Sequence, residues 1–234
     1  MASPYCGAQN RLVEALPLAT KRRFLRECEL VDLVRFEILY AANRAPAQVH
    51  FPVSGFVSLT ASMDGHTGLE VGMVGREGML GDFVSLGVTD SPLNAVVQGS
   101  GTAWRMSVSQ FRREMAQDLA LRSTVNRYLY VRIAQLASRA ACVKFHLIGS
   151  RLARWLLMSH DRAGANSFFV THEVLACVLG VRRVSVTQAA NALQQAGLIS
   201  YKRGEITVLR RRDLERISCS CYSADIARYD AQFG

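Results

Sequence analysis

Two adjacent amphipathic segments separated by Gly180 are the feature that most constrains how this chain can fold. In the segment THEVLACVLG the apolar residues recur at helical spacing, and Gly180 can adopt the left-handed turn that residues with a Cβ disfavour. The following segment, VRRVSVTQAANALQQAGLI, has a second apolar side formed by Val186, Ala189 or Ala190, and Leu193. This pattern predicts two crossing helices joined by a tight turn, the first with Thr171 as its N-cap.

The second predicted helix keeps a polar face that begins with two arginines. The residues that we expect on or beside this face are Arg182, Arg183, Val184, Ser185, Thr187 and Gln188. Arginine can bond O6 and N7 of guanine together, glutamine can bond adenine, and threonine or valine can contact a thymine methyl group. Two arginines at a helix start are unfavourable beside the positive end of the helix dipole unless an anion offsets them. We therefore expect this face to enter the major groove of double-stranded DNA; a solvated helix face is the alternative. Thr171, at the start of the preceding helix, is also expected to contact the DNA.

A β-hairpin is predicted directly after these helices. In GLISYKRGEITVL two β-prone runs flank the sequence from Lys202 to Glu205, which has the composition of a tight turn. Lys202 and Arg203 would then lie at the tip of a wing that contacts the phosphate backbone without reading sequence. For the run Arg210–Arg212 that follows, backbone contacts and a solvated run remain alternatives.

The distribution of charge agrees with a polyanionic partner for the C-terminal half. The chain has 234 residues, 28 Lys/Arg and 19 Asp/Glu, and a formal net charge of +9. Residues 1–118 contain 11 Lys/Arg and 12 Asp/Glu, a net charge of −1, so residues 119–234 contain 17 and 7, a net charge of +10. The excess positive charge therefore lies in the half that contains the predicted helix pair.

The N-terminal half predicts a different architecture. Short helices interrupted by Pro17 precede a glycine-punctuated region, from about residue 31 to 108, whose short apolar runs are typical of a small antiparallel barrel or roll. After SVSQFRREM the pattern becomes helical to about residue 145. The expected fold class is therefore α+β, with a β-roll sensor domain over 1–118, a long helix over 119–146 and a winged helix-turn-helix domain over 147–234.

The long predicted helix carries an apolar stripe suited to a second helix. Its members, spaced four and three residues apart, are Val125, Leu129, Ile133, Leu136, Ala140 and Val143. The stripe predicts a homodimer interface, and packing against the helix's own domain is the alternative.

The N-terminal segment has no signal-peptide core, and no run is apolar and long enough to span a bilayer, so we expect a cytoplasmic protein that does not bind membranes.

Six cysteines are expected to be reduced: Cys6, Cys28, Cys142, Cys177, Cys219 and Cys221. The pair Cys219-x-Cys221 could hold a soft metal or act as a redox switch, although ordinary reduced cysteines are the simpler interpretation. His50 and His66 could ligate haem or metal, but polar histidines near turns are commoner. No metal or cofactor is therefore predicted.

Over nearly its whole length the chain resembles the catabolite-activator and fumarate-nitrate-regulator (CRP/FNR) superfamily. The segments that carry the resemblance are FPVSGFVSL, VGREGMLGDF and THEVLACVLGVRRVSVTQAANALQQAGLI. The resemblance implies a cyclic-nucleotide-binding-like roll that senses a signal, a dimerisation helix, and a winged helix-turn-helix that binds a near-palindromic operator and contacts RNA polymerase.

Two departures from the family pattern concern specificity. The family's reader usually runs Arg-Glu-Thr-Val-x-Arg, whereas residues 183–188 here are RVSVTQ, so we expect an unfamiliar half-site. Gly81-Asp82 resembles the Gly-Glu pair that holds the ribose in cyclic-nucleotide-binding members, but Leu93-Asn94 stands where the Arg-Ser pair would hold the phosphate. Without that arginine the charge-assisted phosphate bonds are lost, so cyclic AMP is not the expected effector. We therefore expect the effector, whether a small molecule or a redox signal, to differ from cyclic AMP.

Other classes of protein fit the sequence less well. Iron–sulfur members of the family have a close N-terminal cysteine cluster, whereas this chain has Cys6 and Cys28 there. A metal-dependent cupin-like enzyme needs clustered histidine and carboxylate ligands, and His66 and Glu70 are the candidate neighbours. We find no phosphate loop or nucleophile elbow, so we do not expect an enzyme. A DNA-bound architectural protein without signal input remains a further alternative.

Overall fold

A computed structural model of the chain describes residues 10–62 and 68–234. The helices are α1 (Arg11–Glu14), α2 (Leu18–Arg26), α3 (Val108–Gln117), α4 (Leu119–Phe145), α5 (Ile148–Ala163), α6 (His172–Leu179), α7 (Arg183–Gln195), α8 (Arg211–Ile217) and α9 (Cys221–Phe233). The strands are β1 (Glu29–Leu33), β2 (Ile38–Tyr40), β3 (Gln48–Pro52), β4 (Phe56–Ala61), β5 (Leu69–Val74), β6 (Asn94–Gly99), β7 (Gly101–Ser107), β8 (Ser167–Phe169), β9 (Ile199–Lys202) and β10 (Glu205–Val208). The predicted α+β class is confirmed.

The described residues form two compact units. The first contains 10–57, 74–130 and 233, and the second contains 58–62, 68–73, 131–232 and 234.

The first unit contains the predicted antiparallel roll. Strand β7 lies between β1 and β3, and Trp104 pairs with Leu30 on one side and Phe51 on the other. Strand β2 pairs with β6 through a register shift between Ile38 and Tyr40. The glycine-rich sequence allows the strands to be short and to turn repeatedly, so that one face can close over a core.

Helices close this core. The Phe24 and Phe51 rings meet edge to face at 5.0 Å, and Phe51 and Phe111 lie 6.1 Å apart. The Asn10 side chain accepts a hydrogen bond from Val13 N at 3.0 Å, which caps α1. Helix α2 begins after Pro17, as the sequence predicted.

The helical region begins earlier than the sequence predicted, with α3. The segment SVSQFRREM is itself helical, because the Ser107 hydroxyl accepts from Gln110 N and starts α3. The Asp118 carboxylate then accepts from Leu121 N at 2.9 Å, which starts α4 as a new helix. Ser107 and Asp118 therefore start two separate helices, whereas apolar periodicity alone predicted one helix that begins after SVSQFRREM.

The second unit contains the helical and winged part of the chain. Helix α5 buries Leu152, Trp155, Leu156 and Ser159 along one side. It ends at Gly164, whose φ of +66° is the left-handed conformation expected there. Strand β8 follows and joins β10 and β9 in the order β8-β10-β9.

Glu70 of β5 is fully buried in the second unit. Its carboxylate accepts from Trp155 Nε1 at 3.1 Å and from the Ser58 hydroxyl, and it lies 3.4 Å from Arg139 Nη2. Burial raises its pKa, while Arg139 and the hydrogen bonds act in the opposite direction. Glu70 is thus committed to internal partners, and His66 lies outside the described residues, as does Cys6.

In the part of the chain that the structure describes, no helix combines the length and apolarity that crossing a bilayer requires.

Candidate nucleic-acid interface

Helix α6 begins and ends where the sequence predicted. The Thr171 hydroxyl accepts from Val174 N at 3.2 Å, which confirms it as the N-cap. Gly180 has a φ of +64°, and Val181 N donates to Ala176 O at 3.0 Å across the turn. This left-handed C-terminus directs the chain into the start of α7.

Helix α7 separates an apolar side from an exposed side. Its buried residues are Val186, Ala189, Ala190 and Leu193, so the predicted apolar side is present and includes both of the alanines given as alternatives. Arg182, Arg183 and Gln188 are exposed, and Val184 keeps 65% of its surface. Ser185 and Thr187 are half-buried. An apolar side chain as open as Val184 on a polar face suits contact with a thymine methyl group.

The start of α7 concentrates positive charge. Arg182 is the N-cap residue and makes no side-chain capping bond, and the first turn of α7 has no acidic residue. The backbone N–H groups of this turn and two guanidinium groups therefore share the positive end of the helix dipole. Such an end favours an anion such as a phosphate, and its hydrogen-bond donors can also bind the neutral acceptor edge of guanine.

Thr187 is held by contacts that the sequence did not reveal. Its hydroxyl lies 3.0 Å from His172 Nδ1 and 3.1 Å from Arg183 O. The His172 ring in turn stacks on Tyr201 of β9 at 4.5 Å. Burial, and then the charge of Arg183, lowers the pKa of His172, which favours the neutral imidazole. His172 and Tyr201 thereby fix α6, α7 and β9 relative to one another at the exposed face. The Thr187 hydroxyl is already hydrogen-bonded within the protein.

The wing is the predicted hairpin. Lys202 pairs with Glu205, and the two residues between them, Arg203 and Gly204, have φ values of +50° and +86°. Positive φ at both central positions is the type I′ turn that matches strand twist. A Cβ on Gly204 would lie 2.6 Å from the Phe169 ring, which explains the glycine. Lys202 and Arg203 are exposed at the tip.

The three arginines after the wing, Arg210–Arg212, do not share one environment, so neither predicted alternative (phosphate-backbone contacts or a solvated run) describes all three. The Arg210 guanidinium donates to Gly197 O at 3.1 Å and to Ala196 O, which caps the C-terminal end of α7. Arg211 donates to Asp161 Oδ1 and to the Tyr222 hydroxyl, both at 2.6 Å. These two side chains hold the fold, whereas Arg212 is exposed.

Helix α4 exposes most of the predicted dimer stripe. Ile133 keeps 67% of its surface, Leu136, Ala140 and Val143 are also exposed, and Leu129 is half-buried. Val125 departs from the prediction, because it is 0% exposed and belongs to the core of the first unit. The helix turns this part of its stripe into its own domain, so a second chain would meet only the stripe from Leu129 onward.

The residues predicted for an effector pocket all lie in the first unit. Gly81 has a φ of +83° and precedes a short 3₁₀ helix that begins at Asp82. The Asn94 side chain accepts from Ala42 N at 2.9 Å, and the Ser91 hydroxyl bonds both the N–H and the C=O of Leu93. Leu93 and Asn94 thus support local backbone structure, and their role in binding an effector stays a prediction.

His50 is buried in the same unit. Burial, with a smaller effect of Arg105, lowers the pKa of His50 to about 4, so the ring is neutral near pH 7. Within residues 10–62 and 68–234 its Nδ1 has no hydrogen-bond partner.

Comparison with known proteins supports this assignment of the C-terminal region. Residues 150–217 match the family model of the Crp-like helix-turn-helix domain. That segment contains α6, α7, the three-stranded wing sheet and α8. No curated protein is similar enough in sequence to count as a relative.

Solved structures share the fold of nearly the whole chain. A transcriptional regulator of the CRP family from Thermus thermophilus superposes with a TM-score of 0.68 at 19% identity, over 80% of this chain and 96% of the other. FixK2 from Bradyrhizobium japonicum gives 0.67 at 14% identity, over 82% and 98%. The c-di-GMP-responsive global regulator CLP from Xanthomonas campestris gives 0.66 at 16% identity, over 82% and 99%. At identities this low, the structural similarity establishes the fold alone.

Proposed function

We propose that this chain, which has the fold of CRP/FNR-type transcription regulators and a Crp-like helix-turn-helix domain, is a cytoplasmic, homodimeric, sequence-specific DNA-binding regulator. The observation that carries the proposal is the face of α7. It combines two arginines at the helix start with exposed Val184 and Gln188. A helix that serves only to pack has no need of this combination.

In the proposed complex α7 lies in the major groove. Arg183 bonds the acceptor edge of a guanine, Gln188 bonds an adenine, and Val184 contacts a thymine methyl group. Arg182 and the first-turn N–H groups bind phosphate, as do Lys202 and Arg203 of the wing. Base contacts specify the site and phosphate contacts set the position of the protein.

Dimerisation would double this readout. Two α4 helices joined from Leu129 to Val143 would place two α7 helices in successive major grooves, about 34 Å apart on one side of the duplex. A two-fold symmetric protein requires a near-palindromic operator. Contact with RNA polymerase follows the pattern of the family.

The signal would act through the first unit, which has the roll of the family's sensor domains. A ligand or redox event changes operator affinity only if it interacts differently with two arrangements of the dimer. The similar regulator from Xanthomonas campestris is described as responsive to c-di-GMP. For this chain the effector is unassigned, and the absence of an arginine at Leu93 argues against cyclic AMP.

Selection of genomic DNA fragments by the purified protein tests the proposal. We expect enrichment of fragments that share a symmetric motif with half-sites about ten base pairs apart. Recovery of fragments without a common motif would contradict sequence-specific binding and would favour an architectural role. A motif whose affinity is equal across metabolite and redox panels would remove the sensing function alone.

A further inference from the structure

We infer that the second unit contains a zinc site formed by Cys142, His146, Cys219 and Cys221. The three Sγ atoms and a ring nitrogen of the histidine all lie within 4.8 Å of one another. The sequence drew attention to Cys219-x-Cys221 but not to the other two residues. Those two lie more than seventy residues earlier, and only the fold brings them to the pair.

Two of the donor separations match those around a single tetrahedral ion. Cys142 Sγ lies 3.6 Å from Cys219 Sγ, and Cys221 Sγ lies 3.6 Å from His146 Nδ1. Around a tetrahedral Zn²⁺, bond lengths of about 2.3 Å to sulfur and about 2.0 Å to nitrogen give ligand separations of about 3.8 Å and about 3.5 Å. A disulfide needs its sulfurs at about 2.0 Å, and a four-iron cluster has to fit between its ligands and spreads them farther. The spacing therefore matches one ion better than either alternative.

Local structure directs all four donors to one point. Cys142 and His146 are four residues apart at the end of α4, where His146 N donates to Cys142 O at 3.1 Å and continues the helical turn. Of the other two ligands, Cys219 lies between α8 and α9, and Cys221 is the first residue of α9. There Tyr222 N donates to Cys219 O at 3.0 Å, and Cys219 N donates to Ser150 O at 3.3 Å. The backbone thus fixes the pair before any ion binds.

The surroundings suit the ion. The three thiols are buried and His146 is half-buried, so water has little access to the donors. Three thiolates and one neutral imidazole around Zn²⁺ carry a net charge of −1, and the three thiol protons pass to solvent when the ion binds. Arg154 is buried nearby and donates to Asp225 Oδ2 at 2.6 Å. It lies close enough to Cys142 and Cys219 for their charges to stabilise the guanidinium.

Three cysteines and a histidine without an open position are the donor set of a structural zinc site. An ion bound here would join the end of α4 to the start of α9 and the residues just before it. It would therefore stabilise the second unit by selective binding to the folded state. The site contains none of the residues proposed to contact DNA, so its test is independent of DNA binding.

Metal content is the first measurement. Protein purified under reducing conditions without chelator is expected to contain one Zn²⁺ per chain. Cys142→Ser and Cys219→Ser should each lower this content at least fivefold. Cys177→Ser is the matched control, because Cys177 lies in the same unit and its thiol donates to Gly68 O, a bond that a serine hydroxyl can make. It should retain one equivalent.

Cobalt provides a readout that does not depend on any variant folding. Metal-free full-length protein titrated with Co²⁺ should develop the visible bands of tetrahedral cobalt and thiolate charge-transfer absorption, both saturating at one equivalent and both lost on adding Zn²⁺. Zn²⁺ should also raise the Tm of the native chain but not that of Cys142→Ser. Octahedral cobalt spectra, iron and sulfide in place of zinc, or a Cys142–Cys219 disulfide without metal uptake would each overturn the proposal.

Discussion

At the scale of single residues, Arg183 carries the proposed base recognition. It lies at the start of α7, is exposed, and has the side chain best suited to guanine. We expect Arg183→Ala to weaken binding to the selected operator by about 1 to 3 kcal/mol per half-site and to relax the preference at one base pair. Competition binding with operator variants measures both effects.

Arg212→Ala is the control for this substitution, since Arg212 is an exposed arginine outside α7. It should leave the base preference unchanged. Equal losses on operator and random DNA after Arg183→Ala would show that Arg183 contacts phosphate instead of a base.

Lys202 makes a different kind of contact in this account. It is exposed at the wing tip, where it would neutralise a phosphate on any sequence. Lys202→Ala should therefore weaken binding to all duplexes and reduce the slope of log K against log salt by about one unit per protomer. Lys21→Ala removes the same charge from the first unit, where Lys21 pairs with Glu14, and should leave the slope unchanged. Identical slopes for the native chain and Lys202→Ala would remove the wing from the phosphate backbone.

His50 predicts a pH dependence of stability. Its pKa is about 4 in the folded chain and about 6.5 when unfolded, so the unfolded state takes up the proton first as pH falls. The contribution of neutral His50 is intact above pH 6.5 and is lost progressively as pH falls towards 4, by an amount on the order of 3 kcal/mol. Denaturant unfolding of the native chain and of His50→Gln across this range checks it. The native chain should lose more free energy of unfolding, and parallel curves would be inconsistent with a neutral, buried His50.

At the scale of secondary-structure elements, α4 decides whether the chain can dimerise. Its stripe is half-buried at Leu129 and exposed at Ile133, Leu136, Ala140 and Val143 in the single chain, and Leu136 lies near the middle. Leu136→Glu would place two like charges in an apolar seam, so we expect monomers and weak operator binding. Sedimentation velocity measures the oligomeric state. Leu86→Glu, an exposed leucine outside α4, should leave the state unchanged. A normal dimer carrying Leu136→Glu would place the interface elsewhere.

The helix pair and the wing could be predicted because their signals are local. Gly180 and Gly204 both have positive φ, and Thr171 is an N-cap, so short-range rules locate the boundaries. The apolar periodicity of α7 likewise identified its buried side without knowledge of the partner helices.

Features that depend on tertiary context were not accessible in this way. Periodicity placed Val125 on the dimer stripe, but the core of the first unit takes up that turn of α4. Asp118 ends one helix and starts another, which a hydrophobic pattern does not register. The cluster of Cys142 and His146 with Cys219 and Cys221 joins residues distant in sequence, so only the fold reveals it.

At the scale of the complete chain, separate parts have separate proposed tasks. The roll would sense, α4 would join two chains, and α7 with the wing would bind DNA. The net charge of +10 in residues 119–234 against −1 in residues 1–118 agrees with that division, because only the DNA-binding part benefits from attraction to phosphate. The division of these tasks at residues 118 and 146 remains a prediction.

Whether α7 reads DNA sequence is tested by equilibrium binding of the native chain to its selected operator and to a duplex of the same length and composition in shuffled order. Measured at one fixed near-physiological salt concentration, across effector and redox panels, the operator should be preferred by about a thousandfold or more in at least one condition. Equal affinity for the two duplexes in every condition would contradict the claim that α7 reads DNA sequence.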